Sequence, residues 1–294
     1  MNKVLITILF FLFAATCFWL RQIKYVQKTN SPAFENTKFY HSSAYMNKES
    51  YPGLSQSELP EAISGKVYAG VVSHHFLAEV EISKFFLKLR DQKVKTVVLV
   101  GPNHFNWGNA QVLTSKLGFN TPWGILEPNL ELIKELQLGK FVEVEEKPFE
   151  TEHSISTLTG FIKHTWPEAN FMPLIINRNV SLLKVLKLTS KLQSLVSEET
   201  LILASVDFSH HFNLETTERN DQASLKTLNE MDIESLTKRE VDSPQALAVV
   251  LGFAKAKPNF NFIFTNTNSA KLTNFPDSQD VTSYVFGYFL EKEN

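Results

Sequence analysis

Apolar positions fall into three regimes along the chain. From Val4 to Leu20 they are unbroken by charge, with Lys3 before the run and Arg21, Lys24 and Lys28 after it. As a helix this run rises about 26 Å at ~1.5 Å per residue, slightly short of a ~30 Å hydrocarbon core. It predicts a signal-anchor or transmembrane segment over residues 1–21. An uncleaved anchor is favoured over a cleaved signal peptide, because Ala14-Ala15-Thr16 is a weak cleavage signal and bulky Phe18-Trp19-Leu20 follow it. Residues 22–64 hold no sustained period and are rich in Asn, Ser, Tyr, Lys and Pro. They predict a tether and a surface-hugging lead-in, with His41 as a surface histidine.

The third regime, residues 65–294, alternates short apolar runs with helical periodicity. Strands are expected near 66–73, 97–100, 141–146, 172–176, 201–206, 260–265 and 281–289. Helices are expected near 77–90, 128–137, 152–165, 181–197, 216–231 and 244–256. Ile82, Phe85, Phe86 and Leu89, for instance, share one helical face. Strands alternating with helices imply an α/β fold: a single domain with a central, largely buried β-sheet flanked by helices on both faces.

Composition changes this picture little. With 43% hydrophobic and 20% charged residues in 294, the chain is ordinary globular material. A net charge of -2 offers no field for nucleic acid, so no such partner is expected. The one cysteine, Cys17, lies in the apolar head, so neither an internal disulfide nor a thiolate zinc cage can form. Any metal must be held by imidazole and oxygen.

The chemistry collects at strand ends. His74 and His75 follow one predicted strand, His104 another, and Asp207, His210 and His211 a third, while Glu152-His153-Ser154 opens a helix. Ligands in open α/β sheets sit beyond the carboxyl ends of the strands, so these groups are expected to share one crevice. Imidazoles with an open position suit iron, copper or zinc, and neutral histidine also moves protons. Asp207 could orient a histidine through its second ring nitrogen, and Glu152 could do so locally or act as a first-turn acid favoured by the helix dipole. No nucleophile elbow and no phosphate loop is present.

At these residues the sequence resembles a known family. GPNH (101–104), EHSI (152–155), SVDFSHH (205–211), VVSHH (71–75) and TPWG (121–124) are similar to segments of the Memo-like proteins, known in prokaryotes as AmmeMemoRadiSam system protein B. The resemblance covers roughly residues 65–290 and implies a fold like that of class III extradiol ring-cleavage dioxygenases. It implies His74 and His104 as metal ligands, His210 as acid/base with Asp207 before it, and His153 as a pocket histidine. For the third ligand it points to residues 266–282, where Asp277 and Asp280 are the carboxylates. The sequence departs from the family where Ser73-His74-His75-Phe76 replaces the usual Pro-His-Ala-Gly.

The implied function is a metal-dependent, dioxygenase-like or redox protein using Fe(II) or Cu, with Zn as a further candidate. The alternatives are a non-enzymatic module that takes a peptide or protein partner in the same pocket, and a zinc hydrolase. A small molecule or peptide is the expected ligand. AMMECR1-like and radical-SAM proteins are implied neighbours. The body is expected outside the cytoplasm on a membrane anchor, with orientation left open by positive charge on both flanks.

Overall fold

The computed structural model describes residues 39–257, 260–275 and 279–291. The apolar segment 4–20, the first part of the expected tether (residues 22–38) and Asp277 lie outside the described residues. Among the described residues no helix is long and apolar enough to cross a membrane.

The compact unit begins at Tyr40, not at residue 65. Part of the expected lead-in is therefore core. A short strand, β1 (His41–Ser42), opens it, and Tyr51 is fully buried against Trp123 and Phe161. His41 is buried as well. Its Nε2 lies 2.9 Å from Glu146 Oε2 and 3.0 Å from Ser115 Oγ, so the expected surface histidine is an interior link.

Next come β2 (Val67–Val72), α1 (Glu79–Lys88) and β3 (Thr96–Pro102). Three short strands follow: β4 (Val112–Thr114), β5 (Phe119–Thr121) and β6 (Gly124–Leu126). Then come α2 (Leu130–Leu138), β7 (Glu143–Val144), α3 (His153–Ser156), α4 (Thr159–Thr165) and β8 (Asn170–Ile176). The chain continues through α5 (Leu182–Leu195), β9 (Thr200–Ser205), α6 (Leu214–Asn229) and α7 (Pro244–Lys255). It ends with β10 (Phe260–Asn268), α8 (Ser269–Leu272) and β11 (Ser283–Glu291). The helix expected over 152–165 is thus two pieces, and β4 to β6 are too short for periodicity to reveal.

The main sheet runs β10-β11-β2-β9-β3-β8-β4-β7, and a small sheet runs β1-β5-β6. The inner four strands, β2, β9, β3 and β8, are mutually parallel. Alternate residues serve two cores, which is why these strands read as continuous apolar runs. Val98 and Val100, with Ile202 and Ala204, pack toward α2, α5 and α7. Val97 and Leu99, with Leu201 and Leu203, pack toward α1 and α4 on the other face. All four strands end on one edge, where their next residues are delivered together.

Candidate metal centre

His74 comes two residues after β2 and is 2% exposed. Its Nδ1 lies 3.0 Å from Ser205 Oγ at the end of β9. Ser205 Oγ spends its own proton on the Ser154 carbonyl at 2.5 Å, so it can only accept from His74 Nδ1–H. The opposite nitrogen, Nε2, is turned toward the centre. It faces Asp242 Oδ2 at 3.4 Å and Asp207 Oδ2 at 3.5 Å.

His104 repeats this arrangement from the next strand. Its Nδ1–H donates to Glu152 Oε1 at 2.7 Å, and its backbone N–H donates to Oε2 at 2.9 Å. Its Nε2 faces the same Asp242 Oδ2 at 3.7 Å. Glu152 is 1% exposed and also caps α3 by accepting the Ser154 N–H at 3.0 Å. One carboxylate therefore starts a helix and fixes the ring of a histidine on another element. Hydrogen bonds from His104 hold Glu152 below its ordinary pKa against the opposing effect of burial.

Asp207 is 3% exposed, and its Oδ1 accepts the His74 backbone N–H at 3.1 Å. It thus stands on the Nε2 side of His74, while Ser205 orients the ring from the other side. Asp242 precedes α7, which Ser243 caps. Its backbone N–H donates to the Asp207 carbonyl and its Oδ2 accepts the Asp207 N–H, both at 3.1 Å. Asp242 Oδ1 is buried without a hydrogen-bond partner.

Two imidazole Nε2 atoms and two carboxylates face each other here, and the carboxylates repel unless a proton or a metal cation lies among them. The electrostatics carry the same demand. Burial lowers the His104 pKa, but Asp242 and Glu152 outweigh it and push the group up to about 10. His153 goes the other way. Burial, then His104 and His74, push it down to about 4. It stacks on His104 with ring centroids 4.2 Å apart. Ligand atoms of His74, His104 and His153, and of His74, Asp207 and Asp242, each lie within 4.8 Å of one another. The donor set fits a divalent metal.

The other expected site residues fall nearby or elsewhere. His210 is half-buried and lines a cleft of about 270 Å³ with His104, Arg178, Phe208, Glu240 and Asp242. Asp280 pairs with exposed His211 at 2.7 Å and belongs to neither group of clustered ligand atoms. Asp242 and Ser205 escaped the reading of the sequence. The one available signal for Asp242 was a carboxylate placed directly before a Ser-Pro helix start. His75 stacks on Tyr284 with Nδ1 2.7 Å from its hydroxyl.

A family model described as Memo-like protein matches residues 60–285. The chain belongs to the Memo-like family. A MEMO1 family protein of Caldivirga maquilingensis is 30% identical over 181 residues, 58% of this chain and 59% of the relative. One from Metallosphaera sedula is 24% identical over 188 residues, 60% and 61% of the two chains. One from Methanococcoides burtonii is 23% identical over 222 residues, 74% and 76%. The aligned stretch thus spans about three fifths of the first two relatives. Within this Memo-like chain, the matched residues include every side chain of the centre from His74 to Asp242.

Proposed function

We propose that this Memo-like protein binds one divalent transition metal through His74, His104 and Asp242, beside Asp207 and His153, and uses it on a small ligand in the adjoining cleft. The observation that carries the reading is the convergence of two imidazole Nε2 atoms on one Asp242 carboxylate whose other oxygen is buried and unpartnered. A mixed imidazole and carboxylate donor set favours iron or copper, with zinc accommodated by the same atoms. When bound, such a metal supplies Lewis acidity and, for iron or copper, one-electron chemistry.

The protein's own residues do the rest. Ser205 and Glu152 hold the two histidines in the tautomer that presents Nε2. Asp207 ties the loop of Asp242 to the end of β9, so both carboxylates keep their place. His210, which lines the same cleft as His104, would hold or release a proton on the ligand. The apolar segment 4–20 would tether this body to a membrane.

Elemental analysis of the purified full-length chain, after dialysis against Fe(II), Cu(II) or Zn(II), tests the reading. About one equivalent of metal should be retained, and a His74→Ala/His104→Ala double variant should lose it. Retention of no metal by the parent, or full retention by the double variant, would overturn the proposal.

A further inference from the structure

The loop between β3 and β4 holds two large aromatic side chains out in water beside the centre. Phe105 is 49% exposed and Trp107 43%, with ring centroids 5.4 Å apart. Phe105 meets His153 edge-on at 6.4 Å, and His153 stacks on His104. A run of flat rings therefore leads from a metal-side imidazole out to the rim.

This loop is firmly built. Buried Asn103 donates from Nδ2 to the Trp107 carbonyl at 2.7 Å and accepts the Trp107 N–H at 3.1 Å. The same Nδ2 reaches Asn177 Oδ1 at 2.8 Å, after β8. Gly108 turns the chain at φ +95°, and a Cβ there would meet Leu113 Cδ1 at 2.6 Å. Asn109 is anchored by its N–H to Glu145 at 2.8 Å. Beside Trp107 lies a recess of about 590 Å³ walled by Asn106, Asn109, Glu145, Lys147 and Pro148.

Single exposed apolar residues are ordinary on protein surfaces. A clamped pair, continuous through its neighbours with a buried polar centre, calls for a ligand. We infer that Phe105 and Trp107 form a subsite for the aryl group of a small molecule whose polar end lies at the centre of His74, His104 and Asp242. The inference rests on the metal reading above. It adds that the ligand extends beyond the 270 Å³ cleft and that its outer part is flat. An aryl group is selected over an alkyl group because offset and edge-on ring contacts stabilise beyond the area they bury.

The test uses the full-length protein loaded with Co(II), whose visible spectrum reports ligand exchange, and three hydroxamates as probes. Acetohydroxamate reads the metal alone, hexanohydroxamate adds an alkyl tail, and 3-phenylpropanohydroxamate adds an aryl tail. The aryl probe should bind about 3- to 10-fold more tightly than the alkyl probe, and a Phe105→Ala/Trp107→Ala variant should shrink that preference to about twofold or less. Its Co(II) content and acetohydroxamate affinity should stay unchanged. Equal affinity for the two tails, or a preference that survives in the variant, would overturn the subsite and leave the metal reading standing. Failure of the parent to take up Co(II) would overturn both.

Discussion

At the scale of single residues, Glu152 does more than its sequence neighbours suggest. It accepts three N–H groups, from Ser154, from the His104 backbone and from the His104 ring. Glu152→Gln keeps the shape but turns one acceptor oxygen into a donor amide facing those donors. Partners of this kind cost roughly 10- to 100-fold in metal affinity when lost. Zn(II) competition titration of this variant should show a weakening of that size while far-UV circular dichroism stays native. Unchanged affinity would reduce Glu152 to a helix cap. The residue scale is also where sequence reading divides. His74, His104 and Asp207 were legible because each directly follows an apolar strand, and strand ends share an edge. Asp242 was not, since it lies 35 positions beyond Asp207 by the interval of their hydrogen bond and arrives on a loop. Nothing in local pattern says which strand end a loop carboxylate will meet. For the third carboxylate the sequence points to Asp277, with Asp280 as the other candidate; Asp277 lies outside the described residues, and Asp280 sits against His211.

At the scale of elements, the parallel strands were legible because burial on both faces leaves short runs rich in Val, Ile and Leu, bounded by turn residues, while the longer apolar run of α7 reads as helix by its length. β1 was not, because two residues carry no period, and its place comes from partners far along the chain. It pairs in parallel with β5, and His41 on it reaches Glu146 beyond β7. That Glu146 carboxylate is pushed up by burial but pulled further down by His41, Ser115 and the Lys116 N–H, ending below its ordinary value of 4.5. A lowered folded pKa means that the ionised form stabilises the fold at neutral pH. The contribution is full above the unfolded pKa and is lost as pH falls through the folded one. The melting temperature of the parent should therefore drop more steeply below about pH 4.5 than that of Glu146→Gln, which has no charge to lose at this position. Parallel melting curves from pH 7 to pH 3 for the two proteins would refute the assignment.

At the scale of the whole body, the stretch between Tyr40 and residue 64 decides where an independent domain can start. Sequence pattern places that start at residue 65, since the helical and strand periods begin there. The hydrogen bonds place it earlier. The Ala44 N–H donates to the Ser156 carbonyl at 3.0 Å, and Ser43 Oγ lies 2.5 Å from Thr159 Oγ1, so this stretch braces α3 and α4, the helices that follow Glu152. Tyr51 fills the space beside Gly160, where even a Cβ would come within 2.3 Å of its hydroxyl. Emptying a buried aromatic site costs about 3–5 kcal/mol in known cores. A chain beginning at residue 40 should fold with its metal affinity intact. One beginning at residue 65 should melt about 10 °C lower or fail to fold, because 1 kcal/mol moves a domain of this size by about 2–4 °C. Where it folds, it should also bind metal more weakly, since the helix that Glu152 caps has lost its brace. Tyr51→Ala in the longer chain separates the two effects: it should lower the melting temperature through the cavity while leaving the Ala44 and Ser43 bonds, and with them most of the metal affinity, in place. Equal melting temperatures for the two truncations would show that residues 40–64 only lie on the surface, as their composition suggests.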